Sequence, residues 1–229
     1  MQRLQLPDSL SSDLEVWRLD LDLAAPVQDA DWAILSEDEG VRALRFHKHE
    51  DKVRSVATRA ALRRLLAARL RRAPNALCFM TNQHGKPRLV ADGVSGAAMA
   101  FNVSHAGGFS LIAISRNSAV GVDIERCDAE LDTRSLEAQV LSPFERELEI
   151  LARPGFFECW VVKEAVLKAL GLGVAEHLQS LSVLKPTGGD ACCYGLRHTC
   201  ADWPSVRACW LDAPAGYAAA LAWQTKEQG

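Results

Sequence analysis

Four short stretches of the sequence hold the side chains that could do chemistry. In GVDIE, Asp123 and Glu125 are two residues apart. In an extended strand they project from the same face, with Val122 and Ile124 packed behind them. Two like charges so close repel unless water or a cation lies between them. In WVVKEAVLK, a helix puts Trp160, Glu164 and Lys168 on one face at i, i+4 and i+8, with Lys163 beside them. FNVSHAGG ends an apolar run on Ser104, His105 and two glycines, where exposed backbone donors and an imidazole can meet a phosphate. HGKPR sets Lys86 and Pro87 in a tight turn. Taken singly, each stretch has an ordinary structural reading. The acids suit a solvated strand face, Glu164 and Lys168 a surface pair worth about 0.2–0.5 kcal/mol, and the other two solvated polar turns. Their combination and order along one chain carry the information.

The elements that must position these side chains follow from the apolar pattern. EVWRLDLDL (15–23) alternates Trp17, Leu19, Leu21 and Leu23 with polar residues, which predicts a strand. After HEDK, Val53, Val56, Ala57, Ala60, Ala61, Leu65 and Ala68 recur at helical spacing as far as Pro74, which predicts an amphipathic helix with a basic outer face. LCFMT (77–81), AMAFNVS (98–104), GFSLIAIS (108–115) and SAVGVDIE (118–125) read as four strands joined by short turns, QHGKP among them. Ser142, Pro143 and Glu145 in LSPFERELEILA (141–152) make a capping box with proline at the first helical position. A helix over roughly 156–170 ends at Gly171, with Gly173 close behind. LQSLSVL, ACCYGLR, VRACWLD and GYAAALAW are strand-like. Helix plus several strands in each half predicts an α+β architecture of two similarly sized subdomains, 1–117 and 118–229, with a cleft between them.

Composition narrows the function class. Of 229 residues, 48% are apolar and 24% charged, the balance of a globular chain rather than a disordered or fibrous one. The amino terminus, MQRLQLPDSLSSD, has no continuous apolar stretch, and no later segment has the roughly 18 apolar residues a membrane helix needs. A soluble, unexported, cytoplasmic protein is expected. Seven cysteines, an odd number with no C-x-x-C, point to reduced thiols. Cys192, Cys193, His198 and Cys200 match no common zinc spacing. Charge is uneven. Residues 42–72 hold eleven Lys or Arg against two acids, a local +9 that leaves −12 for the remainder of a chain whose net charge is −3. Such a field attracts phosphates or an acidic protein surface. Nucleic acid is disfavoured, because basic–aromatic interleaving is missing and the whole chain is acidic.

FNVSHAGGFSLIAIS, then GVDIE, then FECWVVKEAVLKALGLG, with RFHKHEDKVRS and GKP upstream, closely resembles the 4'-phosphopantetheinyl transferases of the surfactin-synthetase-activating type. The resemblance runs from about residue 42 to 173, and W-x-x-K-E-A-x-x-K after G-x-D-x-E is specific to that superfamily. It implies a holo-[acyl-carrier-protein] synthase that moves the phosphopantetheine arm of coenzyme A onto a serine of an acyl or peptidyl carrier protein, releasing adenosine 3',5'-bisphosphate. It further implies a pseudo-twofold pair of subdomains with the active site between them, a monomer, and Mg²⁺ as cofactor.

Carried over residue by residue, the resemblance makes Asp123, Glu125 and Glu164 the metal-site acids, with Glu164 as ligand or as the base for the serine proton. Lys163 and Lys168 are expected to bring positive charge to the phosphates. Ser104 and His105 match the pyrophosphate or 3'-phosphate contacts, Arg54 and Ser55 the 3'-phosphate position, and Lys86 with Pro87 the turn beside the adenosine. Carrier proteins are small acidic helical domains, so the arginine-rich segment could steer them. A catalytically inactive coenzyme A- or carrier-binding module is the competing reading, and it would have little need for Asp123, Glu125, Glu164 and Lys168 together. A P-loop hydrolase is disfavoured, because no G-x-x-x-x-G-K-[ST] occurs.

Overall fold

The computed structural model describes residues 1–90, 99–148, 153–186 and 192–225. Strands β1 (Gln2–Arg3) and β2 (Glu15–Asp20) are followed by two short helices, α1 (Asp29–Trp32) and α2 (Glu37–Leu44), and the long α3 (His49–Leu70). A hairpin, β3 (Phe79–Thr81) and β4 (Pro87–Leu89), then precedes β5 (Ala100–Ala106) and β6 (Phe109–Ser115). The second half begins with β7 (Val120–Arg126), α4 (Thr133–Val140), α5 (Pro143–Glu147) and the long α6 (Phe156–Leu170). It continues through α7 (Val174–His177), a hairpin of β8 (Leu181–Leu184) and β9 (Gly195–His198), and the strands β10 (Val206–Trp210) and β11 (Tyr217–Gln224).

Each half therefore runs strand, short helices, long helix, hairpin, strand, strand. The pairing repeats as well. In the first sheet β2 pairs with β6 and β6 with β5, with β1 added outside β2; in the second β7 pairs with β11 and β11 with β10, all antiparallel. The last strand of each half thus lies between the penultimate strand and the one that precedes the short helices. The architecture is α+β, as expected, and its repeat lies in connectivity rather than in any repeated sequence.

Each long helix covers one sheet. Leu62 and Leu66 of α3 pack with Phe101, Ile112 and Ile114, while Val162, Ala165 and Ala169 of α6 pack with Ala208, Ala220 and Ala222. The two halves join where β5 lies against β7. There the Val122 amide donates to Asn102 Oδ1 at 2.9 Å, and Val120, Val122 and Ile124 share a buried cluster with Leu111 and Ala113. Those even-numbered residues of β7 face the core between the halves, so the odd-numbered ones face α6.

Several boundaries differ from the sequence reading. The strand from Glu15 stops at Asp20, although the Leu21 amide still donates to Gly108 O in register with β6. β4 was unforeseen; Pro87 is tolerated there because it sits in a two-stranded hairpin, opposite Thr81. The short α1, α2 and α4 have too few turns to show a period, although Ser36 and Glu39 form a capping box at α2. The expected box of Ser142 and Glu145 is present, α5 ends at Glu147, and positions 149–152 of that stretch lie outside the described residues, as do Ala98 and Ala191 of two expected strands. Among the described residues no helix is long and apolar enough to cross a membrane.

Gly121 fixes the distance between β7 and α6. A Cβ built there would lie 2.0 Å from Ala165 O and 2.5 Å from Ala169 N, both backbone atoms that cannot rotate away. Gly121→Ala is expected to force α6 off the sheet and to cost at least the upper part of the roughly 1–3 kcal/mol typical of overpacking. The check is the urea unfolding midpoint at unchanged slope; a midpoint equal to the parent's would mean that the helix yields freely.

Candidate active site

Because Gly121 brings α6 close, the next odd-numbered residues of β7 meet the polar stripe of that helix. Asp123, Glu125 and Glu164 each offer a carboxylate oxygen within 4.8 Å of the others. Lys168, one turn beyond Glu164, donates to Asp123 Oδ1 at 2.5 Å and lies 3.2 Å from Glu164 Oε2. Trp160, one turn before, donates Nε1–H to Glu164 Oε1 at 2.7 Å. From the first half, Ser104 Oγ donates to Asp123 Oδ1 at 2.7 Å and receives a 3.4 Å contact from Lys168.

Three carboxylates around one ammonium leave an excess of negative charge. Burial raises the Asp123 carboxyl above its usual range, with Lys168 opposing and Glu164 adding to the rise. Glu125 is pushed up to about 7, first by burial and then by Asp123 and Glu164. For Lys168, burial works against the charge, but Asp123 and Glu164 outweigh it and raise the ammonium. Asp123 is 1% exposed, and its Oδ2 is buried without a hydrogen-bond partner among the described residues. An orphaned carboxylate oxygen inside an all-oxygen donor set suits a small hard cation such as Mg²⁺. The cysteines near residue 200 form no comparable cluster among the described residues.

A second group of the expected residues lies beside this one. Arg54, near the start of α3, donates Nε–H to Gly107 O at 3.1 Å and Nη1–H to Asp51 at 2.6 Å, with half-buried Ser55 next to it. His105 is exposed at the end of β5; partial desolvation, then the positive charges of Arg54 and Lys168, hold its imidazole below the ordinary value. Gly107 has φ 52°, and the Tyr217 hydroxyl of β11 occupies the place a side chain would need, 2.2 Å from a built Cβ. Lys86 plays a different part from the one expected. Its ammonium donates to Val120 O and Lys168 O at 3.0 and 2.5 Å, strapping the hairpin turn to β7 and the end of α6, and burial lowers it to about 8.

Pro87 lines a cavity of about 350 Å³ together with Arg42, Arg59 and Phe79. Arg59 stacks over the Phe79 ring at 5.2 Å, and its Nη1 is buried without a partner among the described residues. Neither arginine was singled out from the sequence, because only the hairpin brings them to Pro87.

Two expectations are corrected. Lys163 does not face the phosphate side: it is fully buried, and its ammonium is enclosed by Glu145 Oε2 at 2.5 Å, Val140 O at 2.6 Å and Leu178 O at 2.9 Å. Five residues of α-helix separate its direction from that of Lys168 by about 140°. The basic outer face of α3 is also less basic than a count suggests. Arg59 and Arg63 pair with Glu39, Arg64 with Asp31, Arg69 with Glu15 and Arg54 with Asp51, and Arg63 is only 1% exposed. Glu15, Asp31 and Glu39 all lie outside the basic window, so sequence counting misses them.

Comparison with known proteins agrees with this geometry. A family model described as "4'-phosphopantetheinyl transferase, N-terminal" matches residues 28–117, and one described as "4'-phosphopantetheinyl transferase superfamily" matches 119–222. The chain belongs to the 4'-phosphopantetheinyl transferases. It is 34% identical to the 4'-phosphopantetheinyl transferase HetI of Nostoc sp. over 185 residues, 78% of this chain and 77% of that protein. Identity to the 4'-phosphopantetheinyl transferase of Bacillus subtilis is 28% over 176 residues, 74% and 75% of the two chains. The transferase gsp of Aneurinibacillus migulanus is 30% identical over 155 residues, 66% and 62%. As a 4'-phosphopantetheinyl transferase of the larger type, the enzyme uses coenzyme A to transfer phosphopantetheine to carrier proteins.

In this transferase the buried Lys163–Glu145 pair also receives the amides of Ser142 and Val183 at 2.7 Å each, so it ties α5 and β8 to α6. Removing one partner leaves the other charge buried alone. Lys163→Met is expected to lose about 3–5 kcal/mol of stability, and Lys163→Met combined with Glu145→Gln to recover part of it. Urea unfolding of the parent and both variants checks this. A Lys163→Met enzyme of parental stability with a raised KM for coenzyme A would instead restore the phosphate-binding role.

Proposed function

We propose that the enzyme transfers the 4'-phosphopantetheine arm of coenzyme A to a serine hydroxyl of an acyl or peptidyl carrier protein in a Mg²⁺-dependent reaction, with adenosine 3',5'-bisphosphate as the leaving group. The observation that carries this reading is the buried, unpartnered Oδ2 of Asp123 within a set of three carboxylates. Asp123, Glu125 and Glu164 would hold the ion. When bound, Mg²⁺ supplies positive charge to the pyrophosphate and to the departing phosphate.

The side chains of the protein then have separable tasks. Lys168 holds a cation at the same point, fixed in place by Asp123, Glu164 and Ser104, so that no reorganisation is needed as charge develops. Glu164, oriented by Trp160, is the third ligand or the base. In the latter role it takes the proton as the serine oxygen bonds to phosphorus and the phosphoanhydride bond breaks. Ser104 and His105 serve the pyrophosphate or 3'-phosphate, and Arg54 with Ser55 the 3'-phosphate. The cavity at Pro87, with Arg42 and Arg59, takes the adenosine end, whose shape Lys86 maintains through the backbone.

This reading divides the enzyme into an N-terminal half, 1–117, that contributes to coenzyme A binding, and a C-terminal half, 118–229, with the metal site and catalytic helix. A monomer suffices, because one chain brings Ser104 and Asp123 together. Among the cations of the basic segment, Arg45 and Lys48 stay exposed between α2 and α3 and can guide an acidic carrier.

Incubating the enzyme with coenzyme A, Mg²⁺ and a panel of apo carriers should add roughly 340 Da, one phosphopantetheine arm on the serine nucleophile, to the substrates among them. Chelation should abolish the gain, and Asp123→Ala should slow it by on the order of 10²-fold or more. A near-parental rate for Asp123→Ala at saturating Mg²⁺ would sink the metal assignment. Glu164→Gln separates the two roles of that residue. A ligand role predicts weaker Mg²⁺ binding by calorimetry, whereas a base role predicts unchanged binding with a lower kcat.

A further inference from the structure

Cys193 and Cys209 occupy directly opposing positions on antiparallel backbone. The Tyr194 amide donates to Ala208 O at 2.9 Å and the Trp210 amide to Cys192 O at 3.3 Å. These bonds flank the Cys193–Cys209 pair, which is therefore a non-hydrogen-bonded pair, the kind in which Cα atoms lie about 4.5 Å apart and side chains stand on the same face. That separation falls within the roughly 4.4–6.8 Å that a disulfide spans. None of the seven cysteines is in a disulfide in the structure.

The surroundings equip one of the pair to react. Cys193 is partly exposed and receives the Arg207 guanidinium at 3.4 Å from its Sγ, a contact that favours the thiolate. The Cys192 Sγ lies 3.8 Å away. Cys209 is buried, where it is shielded from solvent oxidants but within reach of its cross-strand neighbour. Burial, and then the neighbouring Cys193 and Cys192, also raise the Cys209 thiol. Cys159 makes a contrast: it is buried against Pro154 O, with its thiol pushed up to about 12, and no cysteine opposes it across a strand pair among the described residues.

We propose that Cys193 and Cys209 form a redox couple, closing a cross-strand disulfide when the protein meets a two-electron oxidant such as hydrogen peroxide. The Cys193 thiolate attacks one peroxide oxygen and becomes the sulfenic acid, with the first water released. The Cys209 sulfur then displaces the sulfenic oxygen as the second water. Two thiols lose two electrons and two protons, and the peroxide is reduced to two waters. The bond ties the strap at residues 192–194 to β10, the outer strand of the sheet in which Cys209 opposes Leu221 and Leu221 opposes Val122, the neighbour of Asp123.

The test is non-reducing peptide mapping of the full-length protein after graded peroxide, with remaining thiols alkylated at each step. A Cys193–Cys209 linked peptide should accumulate before the exposed Cys78 is consumed and disappear with dithiothreitol. The same link should form in Cys192→Ser and be lost in Cys193→Ser. Recovery of Cys193 and Cys209 as separate alkylated thiols would overturn the proposal. So would a dominant Cys192–Cys193 link, or a link to Cys209 that persists in Cys193→Ser.

Discussion

The site depends on one close approach of backbone to backbone. At Gly121 the carbonyl of Ala165 and the amide of Ala169 occupy the space that any side chain would claim. With α6 seated there, Asp123 and Glu125 emerge under Glu164 and Lys168 rather than into water. A sheet with a larger residue at this point would hold its helix an ångström or more further off. Carboxylates that now share a few ångströms would then be separately solvated. The missing side chain is what turns two acids on a strand and one on a helix into a single electrostatic unit.

That unit costs free energy in the absence of a cation, since like charges are crowded and partly desolvated. Lys168 and the Ser104 hydroxyl offset part of the cost, and both spend themselves on the same oxygen, Asp123 Oδ1. The other oxygen is left with nothing among the described residues. Such an imbalance is expensive as architecture and useful as a binding site, which is the ordinary signature of a place shaped by function. The same helix contains the opposite solution at Lys163, where the charge is closed off by Glu145 and two carbonyls. Two lysines five residues apart thus meet different partners, because the turn of a helix directs one into the core and the other to the acids.

The doubled topology explains how one chain surrounds such a site. Each half has its helix over its own sheet, and the halves meet through β5 and β7. The first half brings hydroxyl, imidazole and guanidinium groups on Ser104, His105 and Arg54, while the second brings the acids. Lys168 of the second half adds an ammonium beside those acids. Tyr217 on Gly107 and Lys86 on Val120 O and Lys168 O link the two halves on either side of the acids in sequence.

The sequence by itself determined the elements with a clear period and the residues whose types are rare in such positions. A period of two exposed Asp123 and Glu125 as one face of a strand, and a period of 3.6 set Trp160, Glu164 and Lys168 in a row. Neither inference needed tertiary information, because side-chain direction follows from local backbone geometry alone. Tertiary structure decided everything that depends on which face meets what. It placed Lys163 in the core although it neighbours Glu164, since spacing gives a direction but not the partner waiting there. It neutralised the arginines of α3 with Glu15, Asp31 and Glu39 from distant segments. It turned Lys86 from a solvated amine into a strap, and opposed Cys193 to Cys209 across a strand pair. Burial and long-range pairing are properties of the packed chain, and no local period encodes them.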